Sequence, residues 1–180
     1  MFDLDAFLAA CCQSVAENEP RQAIKEVLEA AVADAQAVAV ALPPSRAEIV
    51  KLYGSPELTV LKVVWAPGMR IGPHDHRMWA AIGVFSGGED NSFYRRIDDT
   101  LANSGGKSLR PGDVALLGDD TIHAVANPTG EFAGAIHVYG GDFFATRRSE
   151  WRGEPFREQP YDVDYVLGYF EDANRTHAQS

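Results

Sequence analysis

The chain has 180 residues, 46% of them apolar and 23% charged, which fits one globular domain with a substantial core and excludes a disordered or low-complexity protein. Its formal charge of −10, with basic residues scattered apart from the pairs Arg95/Arg96 and Arg147/Arg148, opposes a phosphate backbone, so no nucleic-acid partner is expected. No stretch approaches the roughly 20 apolar residues of a membrane span, and the first ten residues lack the basic start of a secretory signal. The adjacent Cys11 and Cys12 read as small apolar residues in a reduced compartment, so we expect a cytoplasmic location and no membrane partner.

Phe2, Leu4, Phe7, Leu8, Cys11, Cys12 and Val15 recur at helical spacing, with Asp3 or Asp5 placed to favour the helix N-terminus. Asn18 is read as the cap of a second helix that begins with Glu19 and Pro20; its stripe of Ile24, Val27, Leu28, Ala31, Val32 and Ala35 carries it toward Val38, and Pro43 and Pro44 stop it. From Glu57 the pattern becomes extended. "ELTVLKVVW", "MWAAIGVF", "SFYRRI", "DVALL", "HAVAN" and "GAIHVYG" are separated by turn signals such as "SGGEDN", "NSGGK", "RPGD" and "NPTG". These predict a mainly β fold, an antiparallel sandwich or barrel behind N-terminal α-helices. In the tail, "DFFATRRSEW" and "YDVDYVLGYF" are read as edge strands or a flap over the barrel mouth. The expected organisation is a single domain over 1–180, with a helical section at 1–45, a barrel core at 57–140 and C-terminal strands or a flap at 141–180. The N-terminal helices suit packing on the barrel or a subunit contact, and a homodimer would use the second option.

Within "GPHDHRMWAAIGVF", His74 and His76 share one face if the chain is extended there, while Asp75 points away. Such a pair is either a metal chelate or two ordinary polar residues at a turn. His123, at the start of a strand launched after "RPGDVALLGDDT", supplies a third imidazole, and three ligands leave part of a coordination sphere open for chemistry. Continuing the alternation from His76 gives Met78, Ala80, Ile82 and Val84, an apolar lining that would keep bulk water from an ion.

"GPHDHRMW…GVFSGG", "RPGDVALLGDDTIHAVANP" and "AIHVYG" together resemble the cupin superfamily. More narrowly, they are similar to the cysteine dioxygenase family of thiol dioxygenases, whose 3-mercaptopropionate-type members share the HDHxxW and HVYG phrases. The resemblance covers roughly 58–140, and "YVLGYFEDAN" matches the closing segment loosely. It implies a double-stranded β-helix preceded by short helices, and Fe(II) held by His74, His76 and His123, with Ni, Zn, Mn or Cu as alternative ions. Most cupins add a glutamate ligand whose place here falls at Ala80 or Ala81; Glu89 is too far along, in what reads as a turn. Thiol dioxygenases also lack that carboxylate. Three neutral imidazoles leave the positive charge of the ion to be balanced by a substrate thiolate, with sites free for a second donor and O₂. The same alanine pair lacks the cysteine that is crosslinked to a tyrosine in some relatives.

The family's serine, histidine and tyrosine fall at Ala135, His137 and Tyr139, so His137 and Tyr139 are the candidate catalytic pair and His137 loses one partner. The alternative is a satisfied strand histidine beside a core tyrosine. For a substrate carboxylate, Arg70, Arg77, Arg95, Arg96, Lys51 and Lys62 are candidate cations, and Trp79 is read as a packing residue behind the site. The resemblance implies an enzyme that oxidises a small thiol such as 3-mercaptopropionate or cysteine to its sulfinate with O₂. Two other readings stay open: a metal-dependent cupin oxygenase or isomerase acting on carbon, and a non-catalytic cupin that binds a small molecule.

Overall fold

The computed structural model describes residues 1–178. Helix α1 (Leu4–Ser14) starts where Asp3 accepts a hydrogen bond from the Ala6 amide at 3.0 Å. Helix α2 (Pro20–Val32) begins with its proline, whose missing N–H costs nothing in a first turn. The residue ahead of it is Glu19, which makes no side-chain cap, so Asn18 is not the cap that the sequence suggested. Nor does the second helix run on to Val38. Asp34 accepts from the Ala37 amide at 3.0 Å and opens a separate helix α3 (Ala35–Ala41), because a side chain that caps a new first turn competes with continuing the old helix.

The strands follow as β1 (Glu48–Gly54), β2 (Thr59–Trp65), β3 (Arg70–His74), β4 (Ala80–Ser86), β5 (Glu89–Ile97), β6 (Thr100–Leu109), β7 (Val114–Leu117), β8 (Ile122–Ala126), β9 (Ala133–Tyr139), β10 (Ser149–Arg152) and β11 (Arg157–Pro160). β1 lies ahead of the expected start at Glu57; it is an edge strand of mixed burial, which blurs the alternation that would betray it. The strands pair antiparallel in two sheets, β1-β2-β9-β4-β7 and β11-β10-β3-β8-β5-β6. Between them, β2-β9-β4-β7 and β3-β8-β5-β6 have the strand order of a jelly roll, the cupin-like double-stranded β-helix.

β2 and β9 are buried at every position, because both faces of their sheet are covered. Outward-facing Val60, Ala81, Phe85, Ile136 and Val138 pack on Phe7, Cys11, Ile24, Leu28 and Val38 of the helices. Helix α2 comes so close to β4 that a Cβ on Gly83 would sit 3.1 Å from Val32 and 3.2 Å from Leu28. Inward-facing Leu61, Val63, Ile82, Val84, Ala115 and Ala135 fill the space between the sheets.

One end of that space is closed by helix α4 (Val163–His177), so of the two tail segments the second is a helix and not a strand. "YDVDYVLGYF" supplies a helix, while the edge strands come from β10 and β11. Its apolar residues fit either period; the helix wins because Asp162 caps it by accepting from the Tyr165 amide at 3.0 Å, and because Val166 and Phe170, four residues apart, bury together against the core. Asn174 ties the helix to the start of β1 with two 2.8 Å hydrogen bonds to the Ala47 backbone. No helix among the described residues is long and apolar enough to cross a membrane.

Candidate metal centre

Pairing of β3 with β8 sets His74 opposite His123, with their ring centroids 4.6 Å apart. His76 reaches the same point by a different route from strand alternation. β3 ends at His74, and the chain then turns through Arg77 at φ 55°. Asp75 holds that turn in place: its carboxylate accepts from the Ser149 amide at 2.7 Å, its own amide donates to the Ser149 carbonyl at 3.0 Å, and Arg77 Nε lies 2.8 Å from it. So the HxH segment is a loop pinned to β10, and Asp75, which sequence reading left without a task, is the pin.

The three imidazoles are buried, and their nearest ring nitrogens all lie within 4.8 Å of one another. His74 Nδ1 donates to the Gly72 carbonyl at 3.0 Å and His123 Nδ1 lies 2.7 Å from Asn91 Oδ1, which leaves both Nε2 atoms aimed inward. His76 Nε2 is 3.0 Å from His123 Nε2, while His76 Nδ1 is buried without a partner. Two imidazole nitrogens on one ion at about 2.1 Å stand about 3.0–3.4 Å apart, so the spacing of His76 and His123 is that of two nitrogens able to share one ion. Burial pushes the His74 pKa down to about 4, and burial plus the neighbouring histidines hold His76 and His123 well below the usual histidine range. All three are therefore neutral near pH 7, the state in which imidazole binds a metal. Ala80 and Ala81 are buried on β4 and offer no donor; the residue group able to hold an ion contains no carboxylate.

Ala135, His137 and Tyr139 share the inward face of β9. The Tyr139 hydroxyl lies 3.0 Å from His137 Nδ1, and His137 Nε2 lies 3.1 Å from Glu89 Oε2. Glu89 is the residue that sequence reasoning placed in a turn. It begins β5 instead, fully buried, and also accepts from Trp65 Nε1 at 2.9 Å and Asn91 Nδ2 at 3.0 Å. Burial alone would raise its pKa, but His137 and the two donors carry it below the usual carboxylate range. Tyr139, raised by burial, keeps its proton. A glutamate at a strand start after "SGG" carries no local signal of burial; only its partners across the barrel reveal it.

The imidazoles, Tyr139, Phe143 and Tyr161 line a cavity of about 30 Å³. None of the cations picked from the sequence lines it. Arg77 pairs with Asp75 and Arg96 with Glu158; Lys62 bonds Glu48 and the Pro43 carbonyl; Lys51 lies over Phe144, and Arg70 and Arg95 are exposed. Arg148 does not line it either, but it is the cation that packs on two residues that do, Phe143 and Tyr161. Its guanidinium is buried between the rings of Phe143 (4.0 Å) and Tyr161 (4.2 Å), donates to the Phe143 carbonyl, and leaves Nε without a partner. It forms no ion pair with a carboxylate among the described residues, and its charge lowers the pKa of His74 and His76. Trp79 lies behind the site, packed over Gly140 so closely that a Cβ there would fall 2.0 Å from the indole.

No family model matches the chain. Among solved structures it is similar to a cupin family protein with a double-stranded β-helix fold from Methanocaldococcus jannaschii, at 10% identity over 54% of this chain and 82% of that one, TM-score 0.45. It is also similar to Peruvianin-I, a cysteine peptidase from Thevetia peruviana latex, at 21% identity over 52% of this chain and 60% of that one, TM-score 0.43. A third similarity is to oxalate oxidase in complex with the substrate analogue glycolate, at 19% identity over 47% of this chain and 42% of that one, TM-score 0.41. The chain thus spans 60% and 42% of the last two proteins. The strand order itself gives the chain its cupin-like jelly-roll fold, and three buried histidines within it form a group that could hold a metal ion.

Proposed function

We propose that the chain is a mononuclear Fe(II) thiol dioxygenase that converts a small thiol carboxylate, of the size of 3-mercaptopropionate, to its sulfinate. The observation that carries this reading is a donor set of three neutral imidazoles with no carboxylate, sheltered between two sheets and flanked by a tyrosine and an unpaired buried guanidinium. A bound iron would supply the coordination positions for thiolate and O₂. His74, His76 and His123 would hold it through Nε2 and add no negative charge, so an anionic sulfur ligand is favoured over a neutral one. Arg148 would take the substrate carboxylate, because a buried guanidinium without a counter-ion gains most from an anion of matching fork geometry. Tyr139, held by His137, would bear on the oxygen side of the site, where a hydroxyl can stabilise charge as it develops. Phe143, Tyr161, Val166 and Phe170 would exclude water from the reacting sulfur. The reaction balances without a further reductant: thiolate plus O₂ gives sulfinate, the sulfur losing four electrons and both oxygen atoms ending on it.

The test is oxygen uptake by Fe(II)-loaded protein with 3-mercaptopropionate, cysteine and cysteamine, with the product identified by mass spectrometry. One O₂ consumed per sulfinate formed is expected. Metal-loaded protein that consumes no O₂ with any of the three thiols would overturn the reading and return it to carbon chemistry or simple binding.

A further inference from the structure

We infer that Glu89 is a positioning residue that sets the hydrogen-bond direction of both halves of the site, fixing the tautomer of His123 through Asn91 and that of His137, hence the orientation of Tyr139. The inference rests on the metal-site reading above for its functional meaning, while its geometry is independent of the substrate.

An ionised carboxylate only accepts hydrogen bonds. Glu89 therefore forces each of its three partners, Trp65 Nε1, Asn91 Nδ2 and His137 Nε2, to be the donor. With its amide nitrogen spent on Glu89, Asn91 must present Oδ1 to His123, whose Nδ1 then carries the hydrogen at 2.7 Å. His123 Nε2 is left as a lone pair facing His76 and the ligand position. On the other arm, His137 carries its hydrogen on Nε2, so Nδ1 accepts from the Tyr139 hydroxyl at 3.0 Å. Ala135, two residues before His137 on the same face, has no polar atom with which to do this; the carboxylate comes from β5, in the opposite sheet. One buried anion thus orders a candidate metal ligand and the candidate catalytic pair together, as outer partners of ligating histidines do.

Glu89→Gln changes one atom of the side chain and should reverse one arm. Its amide oxygen can still accept from Trp65 and His137, which both approach Oε2, but its NH₂ then faces Asn91 in place of Oε1. Asn91 must turn over, its own NH₂ must face His123 Nδ1, and His123 must move its hydrogen to Nε2, the atom that would bind the ion. Two-dimensional ¹⁵N-histidine spectra of the metal-free protein read these tautomers directly. The wild type is expected to show His123 protonated at Nδ1 and His137 at Nε2, and Glu89→Gln to show His123 protonated at Nε2. Fe(II) and Co(II) affinity, measured anaerobically by chelator competition, should fall about 10–100-fold in Glu89→Gln, and that loss should largely vanish in an Asn91→Ala background, where the arm to His123 is already cut. Wild-type His123 protonated at Nε2, or an equal affinity loss with and without Asn91, would overturn the inference. The wild-type spectrum needs no variant to fold. The tautomer result also stands whether or not any thiol is oxidised, so the two readings fail separately.

Discussion

Replacing Arg148 by lysine keeps a positive charge near the cavity but removes the planar fork. The guanidinium is buried, lies against Phe143 and Tyr161 at 4.0 and 4.2 Å, and leaves Nε free of protein partners; in the proposed binding mode a carboxylate takes that N–H together with a neighbouring Nη–H, where an ammonium gives one in that plane. A hydrogen bond to a charged group contributes about 1.5–3 kcal/mol, so losing one of the two should cost about 2 kcal/mol of substrate binding, about 30-fold in kcat/KM. The loss should fall mainly on KM, because the carboxylate is remote from the sulfur and is held alike before and during reaction. The assay is steady-state oxygen uptake with two thiols. For 3-mercaptopropionate the ~30-fold decline is expected, whereas cysteamine, which has no carboxylate, should change by less than about threefold. Equal losses for both thiols would mean that Arg148 only supports the fold, and an unchanged KM for 3-mercaptopropionate would remove it from the substrate site.

Gly140→Ala should destabilise the protein by about 3 kcal/mol, because the new Cβ would fall 2.0 Å from Trp79 and drive the indole from its packing on the helical layer; a chemical-denaturation midpoint within error of the wild type would contradict that contact. The metal-free protein should lose stability on acidification between pH 6.5 and about 4. In that window the unfolded chain takes up protons on histidines that the folded core keeps neutral, so stability is fully present above pH 6.5 and declines as the pH falls toward the folded value of about 4 for His74. His74 alone should contribute about 2 kcal/mol of loss between pH 7 and 5, with His76 and His123 acting in the same direction, and a flat denaturation profile over that interval would show the imidazoles to be solvated.

Extended apolar runs bounded by turn signals made most strands readable, and the period-two facing of side chains gave the inward set Met78, Ala80, Ile82 and Val84. The three histidines were readable as a set from the HxH phrase and the turn before His123, although a pinned turn and not strand alternation brings His76 inward. Features decided by tertiary packing or by a single capping side chain were not. α4 is apolar enough for either a strand or a helix, and its burial against the barrel and the Asp162 cap decide the matter. β1 is half exposed, and α3 separates from α2 through one aspartate. Glu89 and Arg148 are charged residues in ordinary-looking loops or strand ends; what makes each notable is its contacts, Glu89 to Trp65 and His137 across the barrel, and Arg148 to Phe143 and Tyr161 within the C-terminal segment. Asp75 pins the HxH loop to β10 through Ser149, 74 positions further along.

Whether His74, His76 and His123 grip one ion is decided by metal stoichiometry. Anaerobically reconstituted wild-type protein should bind one Fe(II) per chain, with three nitrogen donors visible by X-ray absorption, and His123→Ala should bind at least 100-fold more weakly while keeping its fold. Absence of stoichiometric binding in the wild type, or equal binding by wild type and His123→Ala, would show that the three histidines do not share an ion.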